Sequence, residues 1–550
     1  MKYVGRWESM EDDKYGVFYT PPRLSSFLSE LLHQEAIKDQ SELLSILDPA
    51  CGKGSLLFAS KQVFGDGVNY HGIDVDVDIL ASPMNGFNIK IGDAIIPKQG
   101  VKPWSYWLSK LGVVDAILAN PPWSSEKIYD RSELEENGFS FTEGQYDSFV
   151  LFIDLAYNLV SQGGYFAFIV PDSLCNTPQN KSLRKFLIDE TEIRVIARLG
   201  EKLFEGVNRS TTVIVCRKSK PSSTTQTSCF RLSKVQRDKY MREDAPLMSL
   251  YHKSVHVVDQ SRFLNHKSLN FDIDTRREDE ALLDKIQENC LDLNDVLGFS
   301  RGVEISKSGR LFVCPECDKA QGYTAKQKEE GTRICKHCKQ NVPMENEKLI
   351  EVISEQAKPN HLAIYAGEDI QRYRLGKKRF IQKGIAGVQY KKLSIYTGEK
   401  IFFRKTGLGI NAMLDPKDTT SLASVYILKP KPDAKNAPCP YFLALFNSRV
   451  VYYYYLKKYG ENEWKSHPHF TKKIIFDLPI KKYQDSPLDR KIISKCESII
   501  RKYSKEKDIE LEHLVKEKYR LNDDEFKFII KQMNEMDDLS AIEHYKTEVV

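Results

Sequence analysis

Long apolar runs are missing from this 550-residue chain. No stretch of 18 or more consecutive apolar residues occurs, so we expect no transmembrane helix and no membrane partner. The first residues lack the apolar core of a secretory signal. The formal net charge is only +5, so any affinity for nucleic acid must come from local basic patches. These absences predict a cytoplasmic protein. The length of 550 residues predicts roughly two to four domains.

A disulfide framework is also missing. The eleven cysteines are an odd number, and four of them form two Cys-x-x-Cys pairs, Cys314 with Cys317 and Cys335 with Cys338, separated by seventeen residues. This spacing is typical of a zinc ribbon. Four thiolates complete a tetrahedron and leave no open position, so we predict a structural zinc site, with His337 as a bystander. The polar residues between the pairs would not hold a core without metal.

The phosphate-binding glycine loops are absent as well. Leu43–Leu47 predicts a strand, and a small-residue loop at residues 48–54 follows it. The loop has neither the Gly-Lys-Ser/Thr ending of a P-loop nor the third glycine of the dinucleotide fingerprint. Gly52 and Gly54 still allow a ligand to approach the backbone closely.

Two acidic residues follow the next predicted strands. Asp74 ends the strand that begins at Tyr70, and Asp93 follows the strand that begins at Ile89. An acid at the end of the second strand of such a fold commonly binds a ribose diol, so Asp74 is the candidate for that role. Asp93 could accept a hydrogen bond from an adenine amino group. Each acid could instead simply form a turn.

Upstream of this loop, Thr20 and Pro21 indicate the start of a helix. Thr20 is a candidate N-cap, Pro21 suits the first turn, and apolar residues continue at helical spacing from Leu24 to Leu31. The free N–H groups of such a helix could bind a carboxylate. An ordinary capped helix is the alternative.

The chain is organised around Asn120-Pro121-Pro122-Trp123, which follows the apolar run at 113–119. That run predicts a buried strand, and two prolines force a turn at its carboxyl end, where ligands bind in open α/β sheets. The Asn120 side-chain oxygen and the Pro121 carbonyl could accept both N–H bonds of an aromatic amine. They would free its lone pair to attack a methyl group, and Trp123 would stack on the base. A proline-rich surface turn is the alternative.

Helical and strand patterns alternate downstream of this motif. They predict helices at 148–160 and 181–190 and strands at 165–170, 194–199 and 211–216. Such alternation predicts an α/β fold with an open parallel sheet. A Ser/Thr-rich stretch from Lys218 to Ser228 indicates a domain boundary.

Residues 15–218 resemble the TaqI-type, gamma-class adenine-N6 DNA methyltransferases that use S-adenosylmethionine. The matching stretches lie in the order of that family: 18–21, 48–52, 72–74, 92–94, 120–123, 144–147, 163–171 and 199–215. The resemblance implies a Rossmann-like methyltransferase sheet followed by a target-recognition domain. It departs from the family at Trp123, where Tyr or Phe is commoner, and at Lys53, for which we have no account.

The resemblance also implies the site residues. The implied catalytic residues are Asn120, Pro121, Pro122, Trp123 and Phe204, with Trp123 and Phe204 sandwiching the flipped adenine. The implied residues for binding S-adenosylmethionine are Tyr19, Thr20, Asp48, Ala50, Cys51, Gly52, Gly54, Asp74, Asp93 and Asn120.

We predict four segments: a catalytic domain at 1–218, a linker or segment of undecided role at 219–290, a DNA-specificity domain at 291–485 and C-terminal helices at 486–550. Residues 290–480 more loosely resemble the mixed α+β specificity domain of the same family, with the zinc ribbon inserted at 311–342. Between Asp369 and Lys405, eleven Lys and Arg residues alternate with aromatic residues against two acids, which favours phosphate contact. A solvated surface is the alternative. At 487–535 a charged helical pattern predicts a pair of helices, or a partner-binding coiled coil.

The leading hypothesis is an enzyme that methylates N6 of a flipped-out adenine in specific duplex DNA, in restriction–modification or phage defence. No nuclease signature is recognisable, so a separate restriction or defence subunit would be needed, or the protein acts alone. An alternative is an enzyme that methylates RNA or a protein glutamine, because the amino group of an RNA base and the amide of glutamine each have a planar nitrogen like that of adenine. A non-enzymatic zinc-containing DNA-binding subunit is the third hypothesis.

Overall fold

The structure is a computed structural model of the chain. It describes residues 20–78, 84, 86–123, 129–142, 147–204, 209–265, 268–305, 309–431, 438–459, 470–536 and 542–547. The chain divides into two compact units, Met1–Arg277 with Lys457–Lys465 and Glu278–Leu456 with Ser466–Val550. Across the described ranges, no helix combines the length and the apolar character that a membrane crossing requires.

The first unit is built on one nine-stranded sheet. Its strands are β1 (Ser45–Asp48), β2 (Asn69–Asp74), β3 (Asn88–Ile91), β4 (Val114–Ala119), β5 (Val160–Pro171), β6 (Glu192–Gly200), β7 (Thr211–Arg217), β8 (Gln226–Arg231) and β9 (His256–Asp259). They lie in the order β3-β2-β1-β4-β5-β7-β6-β8-β9. The pairs from β3 to β5 are parallel, whereas β7 is antiparallel to both β5 and β6.

The helices of this unit connect the strands. They are α1 (Pro22–Lys38), α2 (Ser55–Phe64), α3 (Pro103–Leu111), α4 (Arg131–Glu136), α5 (Phe149–Leu159), α6 (Ser173–Asn176), α7 (Lys181–Glu190), α8 (Lys234–Arg242) and α9 (Leu247–Ser254). The sheet has an apolar cluster on each face. Neighbouring strand residues belong to opposite clusters, as Ile46 and Leu47 do in β1, because side chains alternate across a strand. The central strands are therefore buried on both faces.

Two expectations about this unit are corrected. The sheet is mixed rather than parallel, because β6 and β7 are joined by a short loop that can only form a hairpin. Residues 219–290, predicted to be a linker or undecided, contain two strands of the sheet: β8 pairs with β6, and β9 pairs with β8. The polar stretch at 218–228 thus lies inside this unit, as a loop that leads into β8, and the boundary between the compact units falls at Arg277.

The second unit contains several small sheets instead of one large sheet. Its strands are β10 (Leu297–Arg301), β11 (Arg310–Val313), β12 (Ala320–Gly322), β13 (Thr332–Ile334), β14 (Asn341–Pro343), β15 (Leu349–Glu351), β16 (Ile353–Ser354), β17 (His361–Tyr365), β18 (Ile370–Gln371), β19 (Arg374–Leu375), β20 (Arg379–Gln382), β21 (Lys400–Arg404), β22 (Ala412–Asp415), β23 (Thr419–Ser421) and β24 (Val425–Pro430). The sheets run β10-β24-β21-β22, β12-β11-β15, β13-β14, β16-β20-β17-β23 and β18-β19.

Helices complete the second unit, mainly in its C-terminal part. They are α10 (Arg277–Gln287), α11 (Leu293–Val296), α12 (Ala325–Glu330), α13 (Leu393–Tyr396), α14 (Cys439–Phe446), α15 (Arg449–Tyr459), α16 (Lys472–Phe476), α17 (Pro487–Arg501), α18 (Lys505–Lys518) and α19 (Asp523–Asn534). The charged C-terminal pattern thus forms three helices rather than the expected pair. The last begins with a reciprocal capping box between Asn522 and Glu525.

A buried ionic network ties the helices of the second unit to its strands. Arg372 and Arg449 both contact Asp508 and Glu512 of α18, at N···O distances of 2.8–3.2 Å. None of the four side chains is more than 4% exposed. Arg449 also donates hydrogen bonds to the carbonyls of residues 544 and 545, which fastens the C-terminal segment. Two cations balance two anions, so the burial of the charges is largely compensated.

Candidate functional site

The small-residue loop after β1 is fastened to the end of β2. The Cys51 N–H donates to the Ile73 carbonyl at 3.0 Å, and the Gly52 N–H donates to Asp74 Oδ2 at 2.7 Å. Gly54 has a φ of +78° at the start of α2, a left-handed conformation that favours glycine. The loop and the second strand end therefore form one rigid edge.

Gly72 explains how closely this loop approaches β2. A Cβ added at Gly72 would lie 2.8 Å from Cys51 Sγ and 2.7 Å from Ile89 Cδ1. Any side chain at this position would therefore push the loop away from the strand. The glycine in the Gly72-Ile73-Asp74 motif thus has a packing role, besides the ribose-binding role predicted for Asp74.

Asp48 is fully buried under this loop. Its Oδ1 accepts a hydrogen bond from the Ala50 N–H at 3.0 Å. Burial, with a contribution from the nearby Asp74, raises the pKa of Asp48 to about 8. Burial also raises the pKa of Asp74. Two desolvated carboxyl groups side by side favour the approach of a cation.

Asp93 lies at the end of β3 and is buried. Its Oδ1 accepts hydrogen bonds from the backbone N–H groups of Ile95 and Ile96, at 2.8 and 3.1 Å. The Tyr129 hydroxyl donates to both carboxylate oxygens at 2.9 Å. Sequence reasoning missed Tyr129, because no motif spacing links it to Asp93. A carboxylate accepts about four hydrogen bonds, so its capacity is largely occupied.

Asn120 follows β4 directly and is partly buried. Its Nδ2 donates to Thr20 Oγ1 at 3.1 Å, across 100 positions of sequence. The prediction that Thr20 caps a helix is wrong: α1 begins at Pro22 with Pro21 as the N-cap residue. The Thr20 hydroxyl instead orients the Asn120 amide. Tyr19 lies outside the described residues.

The two residues after Pro121 are held by side chains that sequence reasoning did not identify. The Ser148 hydroxyl donates to the Pro122 carbonyl, and Arg209 Nη1 donates to the Trp123 carbonyl at 2.8 Å. Ser148 lies just after a motif stretch at 144–147, which was the available signal, whereas Arg209 had none. These bonds fix the turn that carries the motif.

Trp123 and Phe204 contact each other. Their ring centroids are 5.3 Å apart and their planes meet at 78°, an edge-to-face contact. A base stacked between two rings needs parallel planes roughly 7 Å apart, twice the usual carbon contact distance. The expected sandwich is therefore not formed in this conformation. Trp123 is only 2% exposed, and its Nε1 donates to the Ile169 carbonyl at 3.3 Å.

The site residues of the first unit meet along one edge. The strands β3, β2, β1 and β4 are consecutive neighbours in the sheet, and their carboxyl ends carry Asp93, Asp74, Asp48 and Asn120 in that order. The carboxyl end of a parallel sheet is where ligands bind. The arrangement offers two buried acids, one half-buried acid and a glycine loop on one side and an oriented amide on the other.

The four cysteines of the second unit form one cluster. All four Sγ atoms lie within 4.8 Å of one another, and the distances from Cys314 to Cys338 and from Cys317 to Cys335 are both 3.8 Å. The two pairs have equivalent turns, because the residue after each second cysteine has a positive φ, 52° at Asp318 and 66° at Lys339. Their repeated geometry makes two matching knuckles that face each other.

The basic–aromatic stretch at 369–405 is partly core. Four of its aromatic side chains are buried, namely Tyr373, Tyr396, Phe402 and Phe403. Lys400 is also buried, in an ion pair with Asp415 at 2.6 Å. The alternation that suggested a nucleic-acid surface therefore results largely from strand packing. The exposed cations include Arg374, Lys383 and Lys392.

Comparison with known proteins covers both units. Residues 4–260 match the model of the N-6 DNA methylase family, and residues 362–480 match that of the TaqI-like C-terminal specificity domain. The chain is 29% identical over 231 residues to the type I restriction enzyme MjaVIII methylase subunit of Methanocaldococcus jannaschii, which is 38% of each chain. It is 28% identical over 374 residues to the MjaVII methylase subunit of the same organism, 62% of this chain and 55% of the relative.

Among solved structures, the type IIG restriction endonuclease BpuSI aligns over 92% of this chain and 66% of its own, with 15% identity and a TM-score of 0.41. The matching regions span only 38% and 55% of the two methylase subunits. The two family matches nevertheless lie in the order that the motifs predicted, with the specificity domain after the methylase domain. The two family matches, together with the methylase relatives, support an N6-adenine DNA methyltransferase family for this chain.

Proposed function

We propose that this protein transfers a methyl group from S-adenosylmethionine to N6 of a flipped-out adenine in specific duplex DNA, in restriction–modification or phage defence. The observation that carries the proposal is Asn120. Its amide stands at the end of β4, next to the strand ends that bear the glycine loop and Asp74, and Thr20 fixes its orientation.

The cofactor would be held by the loop at 50–54 and by the acids beside it. The close approach of this loop to β2 suits a ligand that lies against backbone. Asp74 has both oxygens on backbone N–H groups, of Gly52 and Asp76, and retains lone pairs for a ribose diol. When bound, S-adenosylmethionine supplies an electrophilic methyl carbon on a sulfonium ion. Asp48 would favour that positive charge in its ionised form.

The target amine would be held by two acceptors. The Asn120 side-chain oxygen and the Pro121 carbonyl would accept its two N–H bonds and draw the nitrogen towards tetrahedral geometry. Within the described residues, no donor is bonded to the Pro121 carbonyl. Positive charge grows on the nitrogen during transfer, so these acceptors stabilise the transition state more than the ground state. The proton leaves after transfer, without a general base beforehand.

The aromatic pair would admit the base by separating. Trp123 is anchored through its Nε1 and its carbonyl, so we infer that Phe204 is the ring that moves. A base that replaced the edge-to-face contact would stack on the indole, at about 1–3 kcal/mol per base.

We further propose that the four cysteines bind one structural zinc ion. Four Zn–S bonds of about 2.3 Å in a tetrahedron place the sulfurs about 3.8 Å apart. The Sγ···Sγ distances of 3.8 Å from Cys314 to Cys338 and from Cys317 to Cys335 match this edge. Each knuckle would contribute two thiolates, and no position is left for a substrate. The ion would hold the β11–β12 and β13–β14 hairpins together within the unit that we propose reads the DNA sequence.

We propose a separate restriction subunit as partner. The relatives in Methanocaldococcus jannaschii are named as methylase subunits of type I restriction enzymes. Affinity purification of the tagged chain from its native cells, followed by identification of stoichiometric partners, tests this. Recovery of the chain alone at full DNA-methylating activity would contradict it.

The decisive experiment sequences DNA from cells that express the protein, with detection of modified bases. The wild-type chain should produce N6-methyladenine at one short sequence. Asn120→Ala should remove the modification, with a loss of at least about 10²–10³-fold in turnover. Asn69→Ala, at an exposed asparagine at the start of β2, is the matched control and should modify DNA normally. Purified protein that methylates RNA or a glutamine peptide, but not duplex DNA, would contradict the proposal.

A further inference from the structure

The second unit contains a cavity beside the β18–β19 hairpin. Its volume is about 370 Å³. Gln371 and Arg374 pair across this hairpin, and Arg372 and Tyr373 form its turn, with a φ of +59° at Tyr373. The residues that line the cavity are Gln371, Arg372, Arg374, Arg404, Leu408, Asn411, Tyr503 and His544.

No carboxylate lines this cavity, whereas three arginines do. Arg372 is already compensated, because Asp508 and Glu512 balance Arg372 and Arg449 in the buried network. The uncompensated positive charge of the cavity therefore comes from Arg374 and Arg404. Glu368 is the acidic group that acts on Arg404, but it contacts Arg379 at 3.6 Å and does not line the cavity.

Hydrogen-bond donors also exceed acceptors here. Arg374 is exposed, and among the described residues its guanidinium has no hydrogen bond or ion pair. Arg404 donates through Nε to the Thr406 carbonyl at 2.6 Å, and its two terminal nitrogens have no partner in the same residues. The buried Arg372 Nη1 lacks a hydrogen-bond partner as well. Buried donors without partners are rare and indicate a missing acceptor.

The electrostatic surroundings agree with this donor excess. Burial, together with the charges of Arg372 and Arg449, lowers the pKa of His544 to about 3. His544 therefore stays neutral at physiological pH, and the fixed positive charge comes from the guanidinium groups. Arginines stay charged even when partly buried, so the cavity remains cationic at neutral pH.

We propose that this cavity binds one phosphate of the DNA backbone, clamped between Arg374 and Arg404. The inference rests on the proposed function and goes beyond it by naming the contact. Phosphate oxygens accept several hydrogen bonds at once and suit the planar fork of arginine. Base readout is less well supported, because the Asn411 amide is occupied: its Oδ1 accepts from the Arg372 N–H and its Nδ2 donates to the Leu408 carbonyl.

The hairpin is well suited to fixing the register of a duplex. Its turn residue Arg372 is held by the buried network and by the Asn447 carbonyl, which accepts from Arg372 Nε at 2.8 Å. A phosphate bound here would therefore have a fixed position relative to the rest of the second unit. Phosphate contacts position a protein on DNA without carrying sequence information.

The test compares duplex binding by the full-length chain across salt concentrations. The probe is a fluorescently labelled duplex of random sequence. Arg374→Ala with Arg404→Ala should weaken binding by about tenfold or more and reduce the slope of log affinity against log salt by about 0.9, the value for one phosphate. Arg374→Ala alone removes an exposed side chain, so it reports on the contact even if the double variant folds poorly. Lys491→Ala with Lys527→Ala, two exposed lysines outside the cavity, is the charge-matched control.

The outcomes separate this inference from the proposed function. If the wild type binds and methylates DNA while the double variant keeps its salt slope, or while the control loses as much slope, the phosphate assignment is overturned and the function stands. If the variants methylate altered sequences, the cavity reads bases and the assignment is again overturned. If the wild type neither binds nor methylates DNA, both the function and the inference fail. A reduced slope with unchanged methylation sites supports the assignment.

Discussion

The two units of this chain achieve stability in different ways. The first has one nine-stranded sheet with apolar clusters on both faces, and its site lies where consecutive strands end. In the second, the largest sheets among the described residues have four strands, and a buried ionic network and a cysteine cluster connect the pieces. The first unit also has buried ion pairs, such as Arg198 with Asp172 at 2.7 Å, but its pieces already share one sheet, whereas the small sheets of the second unit each bury less apolar surface and depend more on such links.

The largest effect is expected when two of the four clustered cysteines are removed. Cys317→Ser with Cys338→Ser should abolish the binding of about one zinc per chain, because two of the four thiolates are lost. Structural zinc binding contributes on the order of 10 kcal/mol in small domains, so residues 310–343 should lose their fold. Metal analysis and amide hydrogen exchange of this segment measure the effect.

The control for this test is Cys290→Ser, a half-buried cysteine outside the cluster. It should keep the zinc. Cofactor binding by the first unit, measured by calorimetry, should survive in both variants. Zinc retained by the double variant, or cofactor binding lost with it, would remove the distinction between the units.

A smaller effect is expected from breaking the ionic network. Arg449→Met leaves Asp508 and Glu512 with Arg372 alone and should destabilise α18 by about 3–5 kcal/mol. Burial alone would raise the pKa of Asp508, but Arg372 and Arg449 outweigh burial and hold it below its usual value. Hydrogen exchange of the α18 amides reports the local free energy of opening.

The comparison variant is Arg490→Ala, which removes an exposed pair with Asp485. Surface pairs contribute about 0–1 kcal/mol, so α18 should exchange as in the wild type. Equal effects of the two variants would show that the network is no more important than a surface pair.

In the first unit, Phe204→Leu tests the aromatic pair. If the proposed base stacking holds, loss of the ring should cost about 1–3 kcal/mol of transition-state binding and so lower kcat/KM for DNA methylation by about 5- to 150-fold. Phe186→Leu removes a ring from α7, where it packs on Phe141 and Tyr157, and should leave kcat/KM unchanged. An unchanged rate with Phe204→Leu would exclude this ring from binding the target base.

The smallest effect concerns the protonation of Asp48. Because its pKa is raised to about 8, Asp48 carries a proton at neutral pH, and a cationic cofactor favours the ionised form. Cofactor affinity should therefore rise by up to about tenfold per pH unit between about pH 6 and about pH 7.5. Calorimetric titrations should show Asp48→Asn with a flat profile and the exposed control Asp66→Asn with the wild-type slope.

The stability of the cofactor-free protein should depend on pH in the opposite direction to the cofactor affinity. The folded-state pKa of Asp48 lies above the unfolded value of about 3.9, so its contribution is fully present below about pH 4 and is lost as the pH rises through about 8. Asp48→Asn should therefore stabilise the first unit most above pH 8. A destabilised variant there would mean that the Asp48 carboxylate is compensated in the folded state.

Much of the fold was predictable from local patterns. The predicted helix at 181–190 coincides with α7, and the run before Asn120 forms β4 one residue shorter than expected. The hairpin order of β6 and β7 was not predicted, because apolar runs report burial and not the direction of a strand. The strands β8 and β9 were also missed, since short strands at a sheet edge have weak periodicity.

The candidate site, like the fold, was predictable from the sequence only in part. The four cysteines were identified by spacing alone, because each pair lies within one tight turn. Tyr129, Ser148 and Arg209 were not, because their partners are 26–86 positions away and no local pattern records such contacts. The helix-capping role predicted for Thr20 was wrong for the same reason, since its hydrogen-bond partner Asn120 lies 100 positions away, at the end of β4.

The sequence by itself determined the order of the motifs, the elements that carry them and the residue types at each strand end, because these depend on neighbours along the chain. Only the tertiary structure decided which side chains meet. It turned Thr20 towards Asn120, closed Phe204 onto Trp123, buried four of the six aromatic residues at 373–403 and left Arg374 and Arg404 around one cavity. These outcomes depend on packing between distant segments, where small differences in distance and desolvation determine which contact forms.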